Sequence, residues 1–175
     1  RTALAQEFQV DTAGKLEFVD LRIAKIGSPT GEIYVEIHTD STSLPSGSVQ
    51  ATSQKLDVSK LSTTSMWVRF PFRSPFTTVA LTSYHVVLQG SFAVSAVNHV
   101  LWRADTTAAA YRTAAISKAQ YDGTTWTEDT DDDFIFELFV TRNDNAVTPP
   151  TGYATGYAQI GFVRNGSGSN FVGFV

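Results

Sequence analysis

Apolar and polar residues alternate with a period of two through most of this chain, and that pattern constrains its fold more than anything else. Ile33, Val35 and Ile37 form one row, while Glu32, Tyr34, Glu36 and His38 form the other. Side chains that return to the same face every second residue belong to a half-buried strand. A first short strand is expected over Leu4, Phe8 and Val10, and a long one over residues 16–26. Inside the long strand the phase changes. Leu16 and Phe18 keep one parity, whereas Val19, Leu21 and Ile23 keep the other. One extra residue flips the faces, so a β-bulge is expected there.

Residues 27–31, Gly-Ser-Pro-Thr-Gly, read as a turn, because Gly and Pro set special backbone angles. Residues 40–48 read as a polar loop and residues 49–58 as a weak strand. Met66, Val68, Phe70 and Phe72 alternate with Trp67, Arg69 and Arg73. Pro71 inside that run points to an edge position or a bulge. Further strands are expected over residues 83–89, 97–103 and 134–140. Residues 106–120 contain Ala108, Ala109, Ala110, Ala114 and Ala115, which favour helix. Their apolar residues lack a 3.6 spacing, so loop plus strand is preferred. About eight short strands joined by Gly, Pro, Ser and Thr turns indicate an all-β fold, an antiparallel β-sandwich or jelly roll.

Composition narrows the functional classes. At 175 residues, the chain suits one compact domain. It has no Cys, so disulfide scaffolds, Cys-ligated zinc and thiol catalysis are excluded. Charged residues make up 17%, below the usual ~25%, and 38 Ser and Thr stand in their place. The net charge is -4 and the 13 Lys and Arg are scattered, which argues against nucleic acid as a partner. No apolar stretch approaches the ~20 residues that span a bilayer. Nor is a basic-then-apolar leader visible. The chain opens at Arg1, so it reads as a processed product or part of a longer protein.

Three segments are expected. Residues 1–142 form the sandwich, and residues 143–152, with Pro149-Pro150, form a stiff linker. Residues 153–175 form an apolar, Gly-rich C-terminal extension too short to fold alone. It should pack on the domain or on a neighbouring subunit through Tyr153, Tyr157, Ile160, Phe162, Phe171 and Phe174.

Motifs for catalysis are missing. His38, His85 and His99 sit in strand patterns, none at a helical metal-motif spacing, and read as sheet-surface or partly buried residues. No nucleophile elbow, P-loop or dinucleotide fingerprint occurs. Glu32 and Glu36 share a face, but four residues along a strand separate them by roughly 13 Å, too far for a glycosidase pair. No catalytic residues are therefore expected, and an esterase or glycosidase ranks last. The acidic run of residues 128–133 offers Asp129, Asp131 and Asp133 as alternating oxygen ligands for calcium. It lacks the Gly and distal Glu of an EF-hand loop, and such runs are more often solvated. Trp126, Tyr111 and Tyr34 are the aromatic candidates for stacking on a sugar ring, against a strong tendency of Trp to be buried in a sandwich core.

In its order of motifs the chain resembles the choice-of-anchor R type of β-sandwich domain. The resemblance rests on Ala5-Gln6-Glu7-Phe8, Gly14, residues 25–31 (Lys-Ile-Gly-Ser-Pro-Thr-Gly), Val35-Glu36-Ile37 and Leu44-Pro45-Ser46-Gly47. It continues through Trp67-Val68-Arg69-Phe70, residues 83–88, Trp102-Arg103-Ala104-Asp105 and Gly123-Thr124-Thr125-Trp126. It covers residues 4–140. Such domains occur in bacterial surface proteins and in phage virion proteins, and the family implies no catalytic residues. In the tail, Gly152-Tyr153 and residues 160–171 are similar to a segment of phage tail and fibre proteins, with Ser169-Asn170 where Gly-Asn is the family pattern. The resemblance implies a non-enzymatic virion protein, a capsid decoration or tail/fibre domain. Its partners would be copies of itself, commonly threefold in fibres, and other virion proteins. The alternative expectation is a carbohydrate-binding module of a larger secreted or cell-surface protein. The two overlap where a fibre binds a host glycan.

Overall fold

The computed structural model describes residues 1–92, 94–105, 118–129, 132–142 and, for the backbone, 159–164. The chain is an all-β sandwich. Its strands are β1 (Ala3–Phe8), β2 (Gly14–Ile26), β3 (Glu32–Ser41), β4 (Leu44–Thr52), β5 (Leu56–Asp57), β6 (Met66–Thr78) and β7 (Tyr84–Gly90). They continue with β8 (His99–Trp102), β9 (Ala104–Asp105), β10 (Lys118–Tyr121), β11 (Trp126–Asp129), β12 (Asp133–Phe134), β13 (Phe136–Arg142) and β14 (Gln159–Arg164). Among the described residues, sheet A runs β11-β10-β1-β7-β3-β4 with β5 also on β3. Sheet B runs β14-β13-β2-β6 with β8 also on β2, and β12 pairs with β9 in a small third ladder. All the pairings are antiparallel.

The inward rows of the two sheets make the core. Phe8, Ile33, Val35, Ile37 and Val86 come from sheet A, and Leu16, Val19, Leu21, Ile23, Phe70 and Leu138 from sheet B. The phase change in β2 is a register shift against β6 between Leu16 and Phe18. It leaves Leu16 and Val19 buried and turns Phe18 outward, where its ring stacks on Phe139 at 4.5 Å. Pro71 lies on β6, an edge strand, opposite Phe18 at that bulge, where a missing N–H is tolerated. Trp102 is a core residue. It stacks on Phe134 at 4.6 Å, and its indole N–H donates to the Ile135 carbonyl.

Two expectations change. Residues 40–48 are not a loop. β3 and β4 run into a tight hairpin through Thr42 and Ser43, both in the left-handed region at φ 57° and 65°. Such two-residue turns usually carry Asn-Gly, so Thr-Ser gives no hairpin signal. The row Glu32, Tyr34, Glu36 and His38 is not simply a wet face either, because His38 is buried. The reason lies in the shape of sheet A. β4 and β11 stand at opposite ends of the strand order yet touch each other, so the sheet curls and its outer face becomes a hollow. Small side chains line that hollow: Ala3, Ala5, Val87 and Ala119 form a second buried cluster, with Leu44, Tyr121 and Trp126 packed against it.

Candidate functional site

The hollow of sheet A gathers the polar side chains with the strongest claim to a function. Strict alternation places Glu7 of β1, His85 of β7 and His38 of β3 on this face. The register sets Glu7 opposite His85 and His85 opposite His38. Two residues further along β3, Asp40 reaches the same side. Its Oδ1 accepts a hydrogen bond from His85 Nε2 at 2.8 Å. One donor atom each from Glu7, Asp40 and His85 lies within 4.8 Å of the others, a metal-ligand spacing. His85 is wholly buried and Glu7 nearly so, whereas the Asp40 side chain keeps 28% of its surface and forms the opening to solvent.

A second polar string lies alongside. Gln89 of β7 donates to Glu36 Oε2, which also takes a hydrogen bond from His38 Nε2 at 3.0 Å. A carboxylate only accepts, so the ring nitrogen facing it carries the proton in both histidines. In a neutral ring, Nδ1 then carries the lone pair. Nδ1 of His38 and Nδ1 of His85 are both buried and meet no hydrogen-bond partner among the described residues. Burial pushes the His85 pKa down, against the opposing pull of Asp40, so the ring is neutral near pH 7. Among the described residues no hydroxyl is held against Nδ1 of His85.

Of the aromatic candidates, Trp126 and Tyr34 lie on this same outer face. Trp126 stands opposite Tyr121, with ring centroids 5.1 Å apart, and Tyr121 opposite Ala3. The pairing of Leu4 with Leu88 sets Ala3 beside Gln89, and Gln89 stands opposite Tyr34. The Lys55 ammonium lies 5.3 Å from the Tyr34 ring centre and pairs with Glu32. Tyr111 lies outside the described residues. So do Asp131, Tyr153, Tyr157, Phe171 and Phe174. Ile160 and Phe162 are backbone positions of β14, opposite Thr141 and Phe139.

Of the acidic run, residues 128, 129, 132 and 133 are described. Asp129 and Asp132 share the Lys118 ammonium. Asp133 is buried and accepts from Gln6 Nε2 at 3.0 Å, on the inner side of the sheet. The residues that do have ligand spacing, Glu7, Asp40 and His85, are scattered in sequence and were missed. Their only sequence signal is parity: each occupies an outward position of a neighbouring strand.

A cleft of about 540 Å³ opens at the end of the sandwich between sheet A and β8. Leu4, Ile33, Leu88, Phe92 and Val100 line it, and its titratable groups are Arg1 and His99. It borders the hollow through Ala3 and Gln89, and no carboxylate is among its lining residues. Compared with known proteins, the chain matches no protein-family model and no curated protein.

Proposed function

We propose that the chain is a non-enzymatic structural module of a bacteriophage particle, a capsid decoration or tail/fibre domain. It works by packing against other copies of itself and against other particle proteins. The observation that supports this is the way sheet B ends. β14 comes from the C-terminal segment and adds itself to the edge of β13 in antiparallel register, with Glu137 opposite Arg164 and Arg142 opposite Gln159. Residues 143–158 separate the two strands in sequence. A strand joined by so long a connection can satisfy the same backbone ladder in its own subunit or in a neighbour. Exchange of β14 between copies is then the assembly contact. Light scattering on the full chain and on a chain ending at Arg142 tests this. The full chain should be oligomeric, and the shortened one folded and monomeric. A monomeric full chain absent from purified particles removes the proposal.

A second reading, a carbohydrate-binding module of a secreted or cell-surface protein, is favoured by one observation. Trp126, Tyr121, Gln89 and Tyr34 lie along one cross-strand row of the hollow. Followed along the curve of the sheet at ~4.8 Å per strand, the row covers roughly 19 Å of surface, enough for an oligosaccharide. Aromatic faces at both ends and an amide between them are what stacking and hydroxyl recognition need. A glycan array with Trp126→Ala and Tyr34→Ala as controls decides it, and absence of binding to any glycan counts against it.

A further inference from the structure

We propose that Glu7, Asp40 and His85 form a binding site for a divalent transition-metal ion of the zinc type. Three adjacent central strands supply the donors, so the backbone ladder of sheet A holds them in place without any loop. The donor set is two carboxylate oxygens and one imidazole nitrogen. Calcium and magnesium take oxygen sets, whereas a mixed nitrogen and oxygen set suits zinc and its neighbours. The pocket is closed on the His85 side and open on the Asp40 side. That arrangement leaves a coordination position for water or an exogenous ligand, as in three-ligand zinc sites.

The coordinating atom of His85 is Nε2, which faces Asp40 Oδ1 at 2.8 Å, so one ion can reach that nitrogen and that oxygen together. On binding, the ion takes lone pairs from the three donors, and the proton that Nε2 shares with Asp40 is released to water.

The inference is independent of the assembly reading, since it concerns one subunit. The experiment uses the full chain, free of any affinity tag and stripped with a chelator. It is titrated calorimetrically with zinc, manganese and calcium chlorides, and its thermal midpoint is followed in parallel. Saturable zinc binding at one ion per chain is expected, with a raised midpoint and weak or no response to calcium. Asp40→Asn, at the half-exposed opening, should leave the fold intact and weaken zinc binding by ~10-fold or more. His85→Gln should abolish it. If His85→Gln fails to fold, Asp40→Asn alone carries the test. No saturable zinc binding by the wild type overturns the proposal. So does binding that Asp40→Asn leaves unchanged, which would put the ion elsewhere, for example on the acidic run.

Discussion

Lys118 shows how a single buried charge is held in this fold. Its side chain is only 6% exposed, on the inner side of β10, and its ammonium meets Asp129 and Asp132. Burial disfavours the charged form, but the hydrogen bonds and charges of the two carboxylates outweigh it and hold the pKa above the ordinary 10.5. The consequence for stability follows from linkage. The folded-state pKa is raised, so the contribution is whole below pH 10.5 and is lost as pH climbs through the higher folded value. Urea unfolding as a function of pH should therefore show a loss of stability above that point. In the double variant Asp129→Asn/Asp132→Asn that loss should be smaller. An equal loss in both proteins means that the ion pairs contribute nothing there.

At the scale of elements, the β3–β4 hairpin carries strain that sequence reading could not see. Thr42 and Ser43 both sit at positive φ. A β-branched residue rarely adopts this region, and Thr pays more for it than Asn or Gly. Replacing Thr42→Asn together with Ser43→Gly should raise stability by about 1 kcal/mol, read as a higher urea midpoint with an unchanged slope. A lower midpoint would mean that the two side chains make contacts worth more than the strain. The same hairpin explains what was legible. Alternation gave β2, β3, β6 and β7 because their inward residues are large and regular, and the parity change between Phe18 and Val19 pointed to the bulge, which lies between Leu16 and Phe18. The turn was lost because its residues are atypical. The polar cluster was lost for a different reason. Parity alone puts Glu7, His38 and His85 on an outward face, but only the curl of sheet A turns that face into a hollow and brings three strands' donors together.

At the scale of the molecule, β1 ties the fold together across the whole chain. Leu4 pairs with Leu88 on one side and with Gln120 on the other. Gln6, buried on the same strand, accepts from the Phe134 amide at 2.7 Å and donates to Asp133, linking β1 to β12. The first eight residues therefore meet partners that come far downstream in the chain, from Tyr84 of β7 onward. Closing such distant loops costs entropy before any contact repays it, so non-local β folds are slow. Refolding monitored by tryptophan fluorescence should fall in the millisecond-to-second range expected of β-sandwiches. A chain lacking residues 1–8 strips one neighbour from each of β7 and β10 in the middle of sheet A, and loses Phe8 from the core. Such a chain should be unfolded, with collapsed amide dispersion in its proton spectrum. Adding the missing residues back as a separate peptide should restore dispersion if β1 acts through strand pairing, since the peptide supplies both ladders and Phe8 at once. A truncated chain that keeps native dispersion on its own would show that sheet A can close without its central strand.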